Sequence, residues 1–166
     1  MVITFDQLPL IREIHKEESI VLVGGCYDLF HRGHLEYLRK CSKLGDVLVV
    51  APSSDKRIRE RKGFERPIIQ QEDRVGIIGA LEFVDYALIA PDPKKNISSP
   101  TVRMIDVLKP DIFATADNRH EMYKKELERK GVKVCYVSPA QRRSTTEIIA
   151  SIQKRSTMCN CHCQSA

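Results

Sequence analysis

The sequence predicts a single α/β domain with a doubly wound (Rossmann-like) parallel sheet of five strands and helices on both faces. Short apolar segments rich in Val and Ile alternate with segments whose apolar residues recur at helical spacing. The apolar segments are continuous rather than alternating, which indicates strands that are buried on both faces. The chain has 166 residues, 42% of them hydrophobic and 30% charged, which is enough for one domain with its own core.

The predicted elements follow one another in a regular order, after a short amphipathic helix over Phe5–Lys16. The strands are expected at Ile20–Gly25, Asp46–Ala51, Val84–Ala90, Asp111–Thr115 and Val132–Val137. The helices are expected at His34–Leu44, Gln70–Leu81, Thr101–Leu108, Arg119–Lys130 and from the S-x-x-E capping box at Ser144 through Ile152. Other local expectations are helix ends at Gly45 and Gly131, a helix start at Ser99-Pro100 and a charged loop over Pro52–Pro67.

The composition favours a small anionic partner over a membrane or a nucleic acid. No apolar run approaches the roughly 20 residues that cross a bilayer, and the N-terminus has no signal-peptide pattern, so a cytoplasmic location is expected. The formal net charge of +5 suits an anionic substrate. Because the basic residues do not form one arm and only 6% of residues are aromatic, a nucleic-acid-binding surface is not favoured.

The six cysteines fall into two groups. Cys26, Cys41 and Cys135 lie in apolar patterns and are expected to be buried thiols in a reducing compartment. The other three lie in residues 156–166, which are expected to be an exposed, disordered tail behind a domain of residues 1–155. Zinc binding by these three thiols is the alternative, but ligands so close together suit a tetrahedral site poorly, and no protein metal site is expected. The last four residues match a prenylation box only superficially.

The segment Val21–His34 carries the first candidate for chemistry. An apolar β-branched run ends at Gly24-Gly25, and a short loop then leads through His31 and His34 into a predicted helix. The first N–H groups of a helix bind anions, and imidazoles can donate hydrogen bonds to phosphate oxygens. Neither G-x-G-x-x-G nor G-x-x-x-x-G-K-[ST] occurs, which argues against an ordinary dinucleotide fold and a Walker-type ATPase. The structural alternative is that one histidine caps the helix and the other packs in the core.

The run Arg142-Arg143-Ser144-Thr145-Thr146 is the second candidate. Hydroxyl groups, free N–H groups and arginine at one helix start form a good anion site, although the same residues also suit a plain helix cap behind a solvated basic pair. Ligands of doubly wound sheets bind at the carboxyl ends of the strands, where this run, Gly24-Gly25 and Ala116-Asp117 are all expected. The sequence therefore predicts that the two candidates meet in one site.

These two segments also carry a family resemblance. Cys26-Tyr-Asp-Leu-Phe-His-Arg-Gly-His34 resembles the HxGH element of the cytidylyltransferase-like nucleotidylyltransferases, and Arg142–Thr146 resembles the R-S-T-T run of their sugar- and polyol-phosphate members. The resemblance extends to about Ile152 and is greatest to heptose-1-phosphate nucleotidylyltransferases, with glycerol-3-phosphate cytidylyltransferases more distant.

The resemblance implies an activity. A nucleoside monophosphate would pass from a nucleoside triphosphate, ATP first and CTP second, to a phosphorylated sugar or polyol such as heptose 1-phosphate or glycerol 3-phosphate, with release of pyrophosphate. The reaction would be one in-line displacement, in which positioning and charge neutralisation supply most of the catalysis. Mg²⁺ is expected to accompany the triphosphate. Relatives of this kind commonly form homodimers.

The resemblance also assigns roles to individual residues. The expected catalytic residues, all contacts to the triphosphate, are His31, His34, Lys62 and Arg142. Further nucleotide contacts are expected from Gly25, Cys26, Tyr27, Asp117, Ser144, Thr145 and Thr146. Asp28 is expected at the acceptor, and Arg74 at the phosphate of the acceptor or of the nucleotide. Lys62 lies in a stretch with six basic side chains that would make a lid attractive to a triphosphate, or else a solvated loop.

One segment departs from the family pattern. Family members usually have glycine followed by acidic residues where this chain has Ala116, Asp117 and Asn118, which puts nucleotide recognition in doubt. Two further functions therefore stay open. The same fold could use FMN as the acceptor, as an FMN adenylyltransferase, or it could be a catalytically degenerate nucleotide-binding or regulatory domain.

Overall fold

The computed structural model of the chain describes residues 1–92, 99–117, 121–138 and 144–160. Within them, one sheet of parallel strands forms the centre of the molecule, and its strand order is β3-β2-β1-β4-β5. The strands are β1 (Ile20–Gly25), β2 (Val47–Pro52), β3 (Tyr86–Ala87), β4 (Ile112–Thr115) and β5 (Lys133–Tyr136). The predicted doubly wound fold is confirmed, because the chain adds strands on one side of β1 and then returns to add the others on the opposite side.

Helices connect these strands and cover both faces of the sheet. A 3-10 turn (Phe5–Gln7) leads into the helices α1 (Leu8–Ile14), α2 (Arg32–Cys41), α3 (Asp55–Lys62), α4 (Gln71–Gly79), α5 (Pro100–Leu108), α6 (Glu121–Arg129) and α7 (Thr145–Asn160). On one face, side chains of α1, α5 and α6 form a core with Ile20 and Leu22 of β1. On the other, side chains of α2 and α4 pack on Val21 and Val23. Successive residues of β1 thus enter opposite cores, as the continuous apolar run predicts.

Several local predictions are confirmed. β1 has the predicted bounds. Ser99 caps α5, since its side chain accepts a hydrogen bond from the N–H of Val102, and Gly131 follows α6 with a positive φ of 79°. Of the three cysteines that the sequence predicts to be buried, this is correct only for Cys41, because Cys26 and Cys135 are partly exposed, directly after β1 and in β5.

Other elements differ from the prediction. The stretch expected to be a charged loop contains the helix α3, which buries only Ile58 and is polar on its other faces. β3 is much shorter than predicted, although Ala90 still donates its N–H to the carbonyl of Pro52 at the end of β2. Gly45 does not end a helix, because α2 stops at Cys41; a Cβ at Gly45 would lie 2.9 Å from the carbonyl oxygen of Ser19, so this glycine permits a close approach of two backbone segments.

The C-terminal helix extends further than the sequence predicted. α7 continues to Asn160, so it includes the first residues of the segment that was expected to be a disordered tail. Cys161 and Cys163, part of that prediction, lie outside the described residues. No helix in the described part of the chain is both long and apolar enough to cross a membrane.

Candidate functional site

A cleft of about 690 Å³ opens at the carboxyl ends of the strands. Gly24 and Gly25 end β1 at its floor, between Ala51 of β2 on one side and Thr115 of β4 on the other. This is the point at which the strand order reverses, and the loops of neighbouring strands diverge there and leave a crevice. The cleft therefore lies where the fold predicts a ligand.

The loop between β1 and α2 has an unusual backbone. Tyr27 and Leu29 both adopt left-handed conformations, with φ of 53° and 45°. Residues other than glycine rarely adopt this conformation, because it costs free energy, and the exceptions cluster at functional sites. The ring of Tyr27 is buried against Gly25, where an added Cβ would lie only 2.6 Å from the ring atom Cζ. Gly25 thus has a steric role that explains its position at the end of β1.

The two histidines of this segment lie against each other in the cleft. Their rings stack, with centroids 3.8 Å apart and an interplanar angle of 22°. His31 is the N-cap of α2, and its Nδ1 accepts a hydrogen bond of 3.1 Å from the N–H of Gly33. Neutral His31 therefore carries its proton on Nε2, which is the tautomer that leaves a donor for a ligand. The capping role and the functional role are compatible in this residue.

His34 is more deeply buried than His31. Its ring contacts Tyr27 edge-on at 5.4 Å between centroids and lies 5.6 Å from the ring of Phe30. Its Nδ1 is buried and has no hydrogen-bond partner within the protein. Such an orphaned polar atom is uncommon in folded proteins, and it distinguishes His34 from His31, whose Nδ1 is bonded to the backbone.

The surroundings of the histidines also lower their affinity for protons. Burial lowers the pKa of His34 to about 4, and the nearby charges of His31 and Lys62 add to this effect, while Asp28 opposes it. Burial also lowers the pKa of His31. Both imidazoles are therefore neutral at pH 7 and each can donate one N–H to an anion.

The second candidate segment lies far along the chain from the histidines but lines the same cleft. The predicted capping box is confirmed, because Ser144 donates its N–H to Oε2 of Glu147 at 2.5 Å and the N–H of Glu147 returns to Oγ of Ser144 at 3.3 Å. Thr145 is buried, and its Oγ1 donates a hydrogen bond of 2.9 Å to the carbonyl of Asp28. The N-terminus of α7 is therefore joined directly to the loop that carries the histidines, as the sequence analysis required.

A basic helix lines the cleft beside the histidines. α3 follows its cap residue Ser54 and presents Arg57, Arg61 and Lys62 to the cleft. The sequence analysis assigns a role only to Lys62. A loop has no regular spacing that shows which side chains point the same way, so the other basic residues of this stretch could not be assigned to the site. The helical spacing of these residues places three positive charges on one side of the crevice, where they attract a polyanion.

The structure brings together most of the predicted site residues and separates a few. The lining includes Gly25, Cys26, Tyr27, His31, His34, Lys62, Asp117, Ser144, Thr145 and Thr146. Ala116 also lines the cleft at the position where glycine is usual, and Asp117 donates its N–H to Oγ1 of Thr115 at 3.1 Å. Arg142 and Asn118 lie outside the described residues.

Two predicted acceptor residues have partners inside the protein instead. Asp28 is buried, and its carboxylate accepts hydrogen bonds from Nε of Arg66 at 2.7 Å and from the N–H groups of Ile68 and Ile69. These donors lower the pKa of Asp28 although burial opposes them. Arg74 is 1% exposed and directs its guanidinium at protein carbonyls and a carboxylate. The sequence showed the residue types but not the direction of the side chains.

One part of the lining was missed. Beyond the ends of β2 and β3, the cleft continues along Ser53, Ala90, Pro91, Ser99, Thr101 and Met104. The only available signals were the predicted strand end at Ala90 and the predicted cap at Ser99, and neither carries chemistry by itself. This arm and the arm at Thr115–Asp117 lie on opposite sides of β1, the strand whose following loop carries the histidines.

The profile of the cytidylyltransferase-like family matches residues 22–151, which include both motifs, most of β1 and the whole of the other four strands. The chain belongs to the cytidylyltransferase-like family. Residues 22–151 are accordingly a nucleotidyltransferase domain of this family. The resemblance that the sequence motifs carry is confirmed.

Relatives of this family member include proteins named bifunctional protein HldE. The one from Syntrophotalea carbinolica is 34% identical over 146 residues, which cover 86% of this chain and 29% of that protein. The one from Helicobacter pylori strain P12 is 32% identical over 151 residues, which cover 89% of this chain and 31% of that protein. The chain thus spans less than a third of the length of these relatives.

Solved structures have the same fold. A lipopolysaccharide core biosynthesis protein from Thermoplasma volcanium is 25% identical with a TM-score of 0.59, over 76% of this chain and 99% of that one. A pantoate-β-alanine ligase from Francisella tularensis, complexed with an ATP ligand and β-alanine, has a TM-score of 0.60 at 17% identity, over 86% of this chain and 68% of that one. The second likeness concerns the fold alone.

Proposed function

We propose that this nucleotidyltransferase transfers a nucleoside monophosphate from ATP, or second from CTP, to a phosphorylated sugar or polyol and releases pyrophosphate. The acceptors we favour are heptose 1-phosphate and glycerol 3-phosphate. The observation that supports the proposal is the hydrogen bond from Thr145 to the carbonyl of Asp28, which joins the two candidate segments around one cleft. A single polyanionic chain can then contact the paired imidazoles and the N-terminus of α7 together.

The two arms of the cleft support a reaction between two substrates. The nucleotide would lie along Asp117 and the N-terminus of α7, and the acceptor would lie along the arm at Ala90 and Ser99. An oxygen of the acceptor's phosphate would attack the α-phosphorus, and the bond from that phosphorus to the bridging oxygen would break as pyrophosphate leaves. The loop after β1, between the two arms, carries the histidines, and they would then lie close to the α-phosphate, where charge accumulates during such a displacement.

The protein would act by positioning and by neutralising charge. His31 and His34 each offer an N–H to the α-phosphate, and a phosphate beside them would raise their lowered pKa values and favour the protonated form. The hydroxyl groups of Ser144 and Thr146 and the free N–H groups of α7 would hold the departing pyrophosphate. Arg142 is proposed for the same role. No covalent intermediate and no general base are required.

We further propose that Mg²⁺ arrives on the triphosphate. The described residues contain no group of three or more His, Cys, Asp or Glu side chains arranged to hold a metal ion, and the donors that line the cleft are mostly cationic or hydroxylic. These groups fit phosphate oxygens, and Mg²⁺ is usually held by substrate phosphates, where it neutralises charge. No residue of this chain is therefore assigned as its ligand.

The choice of a sugar phosphate rests on the likeness to named proteins. The solved structure named for lipopolysaccharide core biosynthesis matches this chain over nearly the whole of its own length. The match to the HldE protein covers most of this chain. The resemblance of the R-S-T-T run to heptose-1-phosphate nucleotidylyltransferases agrees with these names. A homodimer is also proposed from the family, and light scattering of the purified chain would test it.

The experiment is a pyrophosphate-release panel. ATP, CTP, GTP and UTP are each combined with heptose 1-phosphate, glycerol 3-phosphate, choline phosphate and FMN. We expect turnover with ATP and heptose 1-phosphate. Turnover only with FMN would identify an FMN adenylyltransferase instead. Tight nucleotide binding without pyrophosphate from any pair would indicate a degenerate domain, which the alanine at position 116 makes worth testing.

A matched pair of variants connects the panel to the cleft. His34→Ala should lose activity on the order of 10²–10³-fold, the size found when one donor to a developing charge is removed. His15→Ala is the control, because His15 bonds to Glu18 and Tyr86 and is not part of the cleft lining. Unchanged turnover in His34→Ala would rule out the proposed mechanism.

A further inference from the structure

Arg74 is among the most deeply buried charged side chains of the described residues. It lies on α4, is 1% exposed, and uses each nitrogen of its guanidinium as a donor. Nε donates to the carbonyl of Ile69 at 2.9 Å, and Nη1 donates to the carbonyl of Cys26 at 2.6 Å. Nη2 donates to the carbonyl of Ser53 at 2.8 Å and to Oδ1 of Asp55 at 2.7 Å. Four of the five guanidinium N–H groups thus donate to protein acceptors, and the side chain is almost completely enclosed by the protein.

The acceptors belong to the segments that build one wall of the cleft. Cys26 follows β1 and directly precedes Tyr27, the first left-handed residue of the histidine loop. Ser53 follows β2, and its own N–H donates to the carbonyl of Gly25 at 2.8 Å. Asp55 is the first residue of α3, the helix that presents three basic side chains to the cleft. One guanidinium therefore links the histidine loop to the basic helix.

We propose that Arg74 is a positioning residue for nucleotidyl transfer, acting through the carbonyl of Cys26 and the carboxylate of Asp55 without contacting substrate. It fixes the strained histidine loop at one end and the N-terminus of α3 at the other. This differs from the phosphate contact that the sequence resemblance implied for Arg74. The proposal rests on the proposed function for its ATP-binding and rate measurements, whereas the amide-exchange measurement is independent of it.

Arginine suits this position and lysine does not. The guanidinium is planar, and its donors point in several fixed directions at once, which allows one side chain to reach acceptors on three separate segments. A lysine keeps the charge and places all donors on one nitrogen, so it can satisfy only some of these acceptors. Arg74→Lys thus removes the bracing and retains the charge. Asp55→Asn is the complementary variant, because it weakens the same link from a residue that is not part of the cleft lining.

The experiment compares Arg74→Lys, Asp55→Asn and the double variant with a matched control, Arg12→Lys. Arg12 also braces the fold with several bonds, to Asp111 at 3.0 Å and to the carbonyls of His15 and Glu18. These residues directly precede β1 and β4, so they lie at the amino ends of the strands, away from the cleft at the carboxyl ends. The measurements are the Kd for ATP, the kcat and KM of pyrophosphate release, the thermal midpoint, and amide hydrogen exchange of the ligand-free chain.

If Arg74 acts by positioning, Arg74→Lys and Asp55→Asn should each weaken ATP binding roughly tenfold, as expected for the loss of a charge-assisted contact, and lower kcat. The double variant should bind ATP no more weakly than the single variant that has the higher Kd, because both substitutions break the same link. Amide exchange should rise over residues 26–31 and 55–62. Arg12→Lys should lower the thermal midpoint and leave the Kd unchanged.

Other results would overturn the inference. Direct contact with substrate predicts that Arg74→Lys weakens ATP binding while Asp55→Asn does not. A purely structural role predicts that Arg74→Lys resembles Arg12→Lys, with a lower midpoint and an unchanged Kd. If Arg74→Lys does not fold, Asp55→Asn decides by its Kd and its exchange pattern. If the unaltered chain binds ATP without releasing pyrophosphate, the proposed function fails while the Kd still tests the inference. If it binds no nucleotide, amide exchange of the ligand-free variants decides, and normal exchange in both segments overturns it.

Discussion

The buried, neutral state of His34 predicts a specific dependence of stability on pH. In the folded protein the pKa of this imidazole is about 4, lowered from its ordinary value of 6.5 first by burial and then by the charges of His31 and Lys62. The unfolded chain takes up a proton near pH 6.5 and the folded chain does not until about pH 4. Between these values the unfolded state binds more protons, so the free energy of unfolding decreases as the pH falls.

The size of this effect follows from the two pKa values. Proton linkage gives a loss of about 2 kcal/mol between about pH 7.5 and about pH 5, and an upper limit of about 3 kcal/mol below about pH 4. His34→Gln replaces the imidazole with an amide that does not titrate. The variant should therefore lose about 2 kcal/mol less than the unaltered chain over the same interval. The lowered pKa of His31 acts equally in both proteins and cancels in the difference.

The assay is urea unfolding at several pH values, followed by circular dichroism. His15→Gln serves as the control, since His15 bonds to Glu18 and Tyr86 and lies outside the cleft. If His34→Gln and the unaltered chain lose equal amounts of stability on acidification, the pKa of His34 is not lowered and the reasoning is wrong. Titration of the His34 ring followed by NMR gives an independent value.

Three further variants test the cleft. Gly25→Ala should destabilise the fold by about 1–3 kcal/mol and weaken nucleotide binding, because the new Cβ would displace the buried ring of Tyr27; a thermal midpoint equal to that of the unaltered chain would contradict this. Thr145→Val should cost about 1–3 kcal/mol in urea unfolding, since the carbonyl of Asp28 loses its donor without a change in side-chain shape, and no loss would mean that water replaces the hydroxyl. Arg61→Ala should weaken ATP binding roughly tenfold in calorimetry and leave stability unchanged, because this exposed side chain lines the cleft; unchanged affinity would remove it from the site.

The sequence was sufficient where one local rule determined the structure. The continuous apolar run of β1 and the capping box at Ser144 and Glu147 depend on near neighbours in the chain, and both were predicted correctly. α3 was missed because it buries only Ile58, so no apolar period marks its face. Gly45 was assigned a helix end, whereas its actual role is set by Ser19, far away in the sequence.

The candidate site also has some features that local rules predict and others that depend on tertiary packing. Its two motifs could be recognised, and their placement at strand ends follows from the fold class. The directions of side chains depend on tertiary packing, which the sequence does not display. Asp28 and Arg74 were therefore expected at a substrate, although both are satisfied inside the protein.

The bond between Thr145 and Asp28 joins residues that are 117 positions apart. All five strands are complete by Tyr136, before α7 begins. During synthesis the sheet can consequently assemble while the histidine loop still lacks its counterpart at the start of the last helix. Competence to hold a triphosphate would come only when the N-terminus of α7 docks against this loop, so the proposed site is completed later than the sheet that carries it.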